Sequence, residues 1–241
     1  PIYQWDVLKE TNYHWWVQRI KHAFRQMDII RIDHFRGFVE YWEIPAKNPT
    51  AEIGEWVRGP GKDLFKVLKE KIDPLPIIAE DLSYYLTSEV HELREEFGFP
   101  GMRILQYAFS ERWGGGNRYF PHNYEPNTVV YTGSHDNDTS PAWFKSLEQN
   151  TKNNVLEYLD SNEKEVVSKL IRSVWQSVAN LAIVPLQDIL RLDNNARMNY
   201  PGHLEFPNWQ WRFTWQELEE KSRYFEELAN FSEIYERIRS I

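Results

Sequence analysis

Five short, nearly continuous apolar runs, separated by stretches of helical periodicity, constrain this chain more than any other feature. They are DIIRID (Asp28–Asp33), LPIIAEDL (Leu75–Leu82), GMRILQYAF (Gly101–Phe109), TVVYTGSHD (Thr128–Asp136) and LAIVPLQDIL (Leu181–Leu190). Such runs read as strands buried on both faces rather than one, which is the pattern of a parallel sheet covered by helices. The intervening segments supply those helices. Tyr13–Met27 carries Trp16, Ile20, Ala23, Phe24 and Met27 at helical spacing, and Lys62–Ile72 sets Leu64, Phe65, Leu68 and Ile72 on one face. Ser88–Gly98 is a third helix, capped by Thr87 or Ser88 and stopped by Gly98. Thr139–Leu147, Asn154–Asn180 and the tail Trp215–Ile241 complete the helical set. His34–Gly61, between the first strand and second helix, reads as an aromatic loop.

This alternation predicts an α/β fold. No repeat, low-complexity tract or flexible linker divides the 241 residues, so one domain spanning 1–241 is expected. A (β/α)8 barrel needs eight strands. Five strands, with the chain opening just before a helix, match only the C-terminal part of such a barrel.

Composition narrows the function classes. The net charge is −8 with no basic block, which argues against a nucleic-acid partner. No apolar run approaches the roughly 18 residues of a membrane span. The absence of cysteine excludes disulfides, thiol catalysis and thiolate metal sites, and suits a reducing compartment. Aromatic residues reach 15%, with 11 Trp. Core packing and sugar stacking explain that figure equally well, since the C–H face of a pyranose packs on the negative face of an aromatic ring.

Three of the runs end in acids: Asp33, then Glu80 with Asp81, then Asp136. The carboxyl ends of parallel strands are where barrel enzymes hold their active sites. Strand alternation puts Arg31 on the face of Asp33, and Ile30 with Ile32 on the other. A guanidinium there keeps Asp33 ionised, as a nucleophilic carboxylate requires. Glu80 has fewer cations nearby, and partial burial would let it hold a proton. One ionised and one protonated carboxylate is the arrangement of retaining glycosidases. Taken alone, RIDHFRG (Arg31–Gly37) reads better as an ion-paired strand end. HDND (His135–Asp138) lacks the glycine and glutamate of a calcium loop, so solvated loop acids are expected there and no metal.

Several motifs together resemble one family. RIDHFRGFVEYWEIPA, IIAEDL, FGFPGMRILQYAF, PHNY, VVYTGSHDNDTSPAWF and ARMNYPG, in that order, are similar to the 4-α-glucanotransferases called amylomaltases or disproportionating enzymes, glycoside hydrolase family 77. The resemblance runs from PIYQWDVL to NWQWRF. It implies a (β/α)8 TIM barrel, represented here by about strands 4 to 8, with the N-terminal strands absent. It implies Asp33 as nucleophile, Glu80 as general acid/base and Asp136 as transition-state stabiliser. Arg31, His135 and Asn199 match substrate-binding positions, and Tyr3 and Trp5 match the neighbourhood of a loop that covers the glucan. The chain departs from the family's usual AEDLG at Ser83, and LRLDNNARMN stands where LGLGSEARMN is usual.

The implied reaction is a retaining double displacement that moves α-1,4-glucan segments to the 4-hydroxyl of an acceptor glucan or glucose. The implied partners are malto-oligosaccharides, amylose or other α-1,4-glucans. No cofactor and no membrane are expected, and a cytoplasmic location is, or a plastid if the source is a plant or alga. The alternatives are an α-glucan hydrolase of the same clan, or an inactive glucan-binding fragment when the chain is isolated.

Overall fold

The computed structural model describes residues 2–82, 86–110 and 118–238. The chain divides into two compact units, 1–102 and 103–241.

The first unit begins with α1 (Trp5–Glu10) and α2 (His14–Phe24), followed by β1 (Ile30–Ile32). A hairpin of β2 (Glu40–Glu43) and β3 (Glu55–Arg58) comes next, then α3 (Gly61–Lys71), β4 (Ile77–Ala79) and α4 (Ser88–Glu96). Strands β1 and β4 pair in parallel, Ile30 opposite Ile77 and Ile32 opposite Ala79. Their core is aromatic. Phe35, Phe38, Phe65 and Phe99 pack with ring centroids 5.2–6.0 Å apart. Trp16, Val17 and Ile20 of α2 and Leu64, Phe65 and Leu68 of α3 close over them. Leu64 and Phe65 are fully buried, so the face expected of α3 is the one used, although the helix ends before Ile72.

The hairpin corrects the reading of His34–Gly61 as a loop. Trp42 pairs with Trp56 and Tyr41 with Val57 in antiparallel register. Gly54 is required there because a Cβ would overlap the carbonyl oxygen of Glu43. Helix α4 stops at Gly98, as expected. That residue sits at φ +68 while Phe99 N–H reaches back 3.0 Å to the Arg94 carbonyl, the closing bond of a Schellman turn.

The second unit contains β5 (Gly101–Ile104, begun in the first), β6 (Thr128–Tyr131), α5 (Ser140–Ser146) and α6 (Gln149–Tyr158). It continues with α7 (Val166–Trp175), β7 (Leu181–Ile183), α8 (Leu186–Ile189), α9 (Trp215–Glu220) and α10 (Ser222–Ile234). Its sheet has the order β5-β6-β7, with β6 and β7 parallel. The expected single helix Asn154–Asn180 is two helices. Asp160 adopts φ +45, and Ser161 N–H bonds the Leu156 carbonyl at 3.0 Å, which ends α6. The tail is likewise broken between α9 and α10. All five apolar runs carry a strand, so the α/β class holds. No helix among the described residues is long and apolar enough to cross a membrane.

Asp81, 1% exposed, locks the first unit from inside. It accepts from Arg94 Nη1 at 3.2 Å and from Met102 N–H at 2.8 Å. A Cβ on Gly101 would overlap Arg94 and stand 2.8 Å from Asp81 Oδ2, so only glycine lets β5 approach this pair. Asp81→Ala withdraws the carboxylate from a buried guanidinium, and a loss of about 3–5 kcal/mol is expected in urea unfolding.

Candidate active site

Each acid at the end of β1 and β4 is placed by the strand before it. Because Ile32 pairs with Ala79, Asp33 and Glu80 are the next residues on neighbouring parallel strands. The Glu80 N–H donates to Ile32 O at 2.9 Å, and Phe35 N–H to Glu80 O at 3.0 Å, carrying the pairing past the strand ends. The Asp33 side chain is 76% exposed and ion-paired with Arg31 Nη2 at 2.8 Å. The shared face predicted for Arg31 and Asp33 is therefore the one observed.

Glu80 is partly buried, as expected, and its carboxylate is in addition held by backbone donors. His34 adopts a left-handed conformation, φ 48 and ψ 53, and so aims its N–H at Glu80 Oε2, 2.7 Å away. Leu82 N–H donates to Oε1 at 2.8 Å. Both oxygens are thus oriented by backbone donors rather than left in an apolar pocket. Each keeps a further lone pair for a proton. Ser83, the departure beside this turn, lies outside the described residues.

Asp33 opens into a cleft of ≈ 660 Å³, within the range of small-ligand sites. Tyr3, Trp5, Trp16, Arg31 and Trp42 are among its walls. Tyr3 meets Trp5, Trp15 and Trp16 at centroid distances of 5.1–5.7 Å. Arg19 fixes this cluster by donating to the Tyr3 hydroxyl at 2.9 Å and lying over Trp15 and Trp16. These rigid aromatic faces are suited to sugar C–H contacts. The aromatic content of the first unit therefore serves both ends: Phe35, Phe65 and Phe99 fill the core while Trp5, Trp16 and Trp42 line the cleft.

In the second unit, Asp136 lies in the loop after β6 rather than at the strand end itself. Asn199 Nδ2 donates to Asp136 Oδ1 at 2.6 Å, and His135 Nε2 stands 3.3 Å from Oδ2. The Asn199 N–H also bonds the His135 carbonyl at 3.1 Å. His135, Asp136 and Asn199 are thus brought together, and Trp209 packs on the His135 ring at 5.2 Å. No group of three or more His, Asp or Glu able to hold a metal ion occurs among the described residues.

A family model for 4-alpha-glucanotransferase matches residues 1–218. The chain belongs to the 4-alpha-glucanotransferase family. The 4-alpha-glucanotransferase of Clostridium butyricum is 50% identical over 216 residues, 88% of this chain and 43% of that relative. That of Streptococcus pneumoniae serotype 4 is 45% identical over 240 residues, 99% of this chain and 46% of the relative. A solved structure of amylomaltase from Streptococcus agalactiae in complex with acarbose superposes with a TM-score of 0.90 at 37% identity, covering 98% of this chain and 47% of that one. The chain thus spans about half the length of the glucanotransferases it matches.

The Asp136 loop of this family member rests on residues that the spacing of acids did not single out. Arg197 donates to the Asp136 carbonyl at 2.6 Å, to Asp138 Oδ1 at 2.5 Å and to the Asn199 carbonyl at 2.8 Å, with its guanidinium stacked 4.2 Å over Tyr200. Asn194, in the segment that departs from the glucanotransferase pattern, donates to Asp138 Oδ1 at 2.7 Å and accepts the Thr139 N–H at 3.1 Å. Asp188 staples the two ends of the loop, accepting from the Thr132 hydroxyl and from both the hydroxyl and N–H of Ser140, each at 2.6 Å. The available signal for Arg197 was its place two residues before Asn199. Asp188 carried none, since its partners are far off in sequence.

Burial pushes the Asp188 carboxyl above the usual carboxylate range, against the opposing pull of the Ser140 and Thr132 hydrogen bonds. A raised folded-state pKa contributes stability below the unfolded value and loses it as pH rises through the folded one. Asp188→Asn lacks that titration. Its stability relative to wild type should therefore rise in urea melts as the pH is raised above the usual carboxylate range, and a pH-independent difference would contradict the assignment.

Proposed function

We propose that this chain carries the catalytic acids of a 4-α-glucanotransferase that disproportionates α-1,4-glucans, and that it corresponds to about strands 4 to 8 of a (β/α)8 barrel within a single catalytic domain. The observation that carries this reading is the placement of Asp33 and Glu80 side by side beyond paired parallel strands, with Asp33 open to an aromatic cleft. Family membership and the strand order within each unit support it.

In the proposed reaction, the Asp33 carboxylate attacks the anomeric carbon while Glu80 delivers its proton to the departing 4-oxygen. The C1–O4 bond breaks and a glucosyl ester forms on Asp33. Glu80, now a carboxylate, then takes the proton from the 4-hydroxyl of an acceptor glucan, whose oxygen attacks C1 and expels Asp33. Two inversions leave the α configuration retained. Arg31, ion-paired with Asp33 at 2.8 Å, orients the carboxylate for the first attack and stabilises it as leaving group in the second. Asp136, oriented by Asn199, accepts hydrogen bonds from sugar hydroxyls that tighten as the oxocarbenium-like state develops. Arg31, His135 and Asn199 are the proposed sugar-binding side chains. The substrates are malto-oligosaccharides and longer α-1,4-glucans, and the tryptophan-lined cleft favours a second sugar over water at the glucosyl ester.

Maltotriose tests the whole assignment in the intact protein. Release of glucose together with longer oligosaccharides is expected, and a rise of reducing ends by hydrolysis alone would sink the transfer reading. Asp33→Ala should lower turnover by at least about 10⁴-fold, as loss of a covalent nucleophile does. Turnover at the wild-type rate would remove Asp33 as the nucleophile.

A further inference from the structure

The second unit holds a cleft of ≈ 900 Å³ whose charge is opposite to that of the chain. It lies among α5, α6, α7, α10 and the turn after α8, and its lining includes seven Lys and Arg side chains against three Glu, in a protein of net charge −8. Two of those cations are already matched. Lys145 pairs with Asp193, and Arg191 with Glu227 at 2.6 Å. Lys152, Lys164, Lys169 and Arg223 form no ion pair among the described residues. The floor is apolar: Phe144, Val166, Val167 and Phe231 are all at least nine-tenths buried. Low-dielectric walls beneath uncompensated cations focus a positive potential into the cavity.

The geometry of Arg191 shows that the cleft is built into the fold. This residue stands at φ +56, in the left-handed region that disfavours any side chain, and within the segment that departs from the glucanotransferase pattern, where glycine is usual. Its guanidinium is nonetheless fixed by Glu227, by the Asp188 carbonyl at 2.7 Å and by the ring of Tyr224, 4.7 Å away. Arg223 lies 4.7 Å from the same ring. Tyr224 therefore stands at the wall with two guanidinium groups against it.

We propose that this cleft binds a phosphorylated hexose, with the phosphate held by the free lysines and Arg223 and the sugar beside Tyr224. A dianionic phosphate matches several point-charge ammonium groups and a guanidinium better than a single carboxylate does. The cavity is of small-ligand size. The choice of a sugar, rather than another organic group, rests on the glucan-transfer reading. The same chemistry is available from a free hexose phosphate or from a phosphate ester on a glucan chain.

Calorimetric titration of the intact protein at low salt tests this without any transferase assay, so its outcome is separate from that of the maltotriose experiment. Glucose 6-phosphate should bind saturably in the millimolar range or tighter, glucose should not, and added salt should weaken the complex. The double variant Lys164→Glu/Lys169→Glu should lose at least about tenfold in affinity, and Lys164→Gln/Lys169→Gln an intermediate amount while keeping the wild-type melting temperature. A phosphorylated maltodextrin that competes with glucose 6-phosphate identifies the glucan-borne ester as a source, and failure to compete identifies the free sugar. No saturable binding, or binding unchanged in both variants, overturns the site. Inorganic phosphate or adenosine monophosphate binding as tightly as glucose 6-phosphate overturns the sugar assignment.

Discussion

Parallel pairing between Ile30–Ile32 and Ile77–Ala79 is the constraint on which the first unit's proposed site depends. Because the register is fixed, the residues that follow each strand arrive side by side, and they are Asp33 and Glu80. A slip of one residue would turn each side chain to the opposite face and exchange acid for aliphatic. The aromatic packing of Phe35, Phe38, Phe65 and Phe99 beneath the strands and the buried Asp81–Arg94 pair beside them both oppose such a slip. Neighbouring carboxylates thereby acquire opposite duties. Glu80 is oriented by two backbone donors beside Asp33, while Asp81, the next residue, faces inward and holds the fold.

The second unit achieves rigidity by other means. Asp136 sits on a loop, where backbone alone provides little restraint. Asp188 ties the two ends of that loop, Arg197 grips its carbonyl and its second acid, and Asn194 grips Asp138 from the other side. Arg197 is a planar fork whose donors serve Asp136, Asp138 and Asn199 at once, a task a lysine's single ammonium could not divide so well. Segment 191–197, where the sequence leaves the family pattern, thus braces the Asp136 loop at one end and contributes Arg191 to the basic cleft at the other.

Much of this was legible in the sequence because its signals are local. The five apolar runs declare strands through β-branched residues without alternation, and each contains one. Arg31 and Asp33 share a face because they are two apart on a strand. The hairpin was not legible. EYWE and EWVR are charged and part-exposed, and a long proline-containing loop joins them in place of a tight turn. The break after α6 was hidden as well, since Asp160 takes the left-handed position at which glycine is the usual marker. The backbone donors to Glu80 escaped because no side-chain type announces them, and one is aimed by a left-handed histidine in the loop after β1.

The sequence by itself determined the α/β class, the two acids that follow β1 and β4, and the family, because residue type, short-range periodicity and motif order are sufficient for each. Only the tertiary structure decided which polar groups meet. Asp188 finds Thr132 and Ser140, Arg197 finds Asp136, and a group of dispersed cations lines one cleft in an acidic chain. The physical reason is separation along the chain. These partners lie dozens of residues apart, no periodicity links them, and they become neighbours only once packing has brought their helices and loops together.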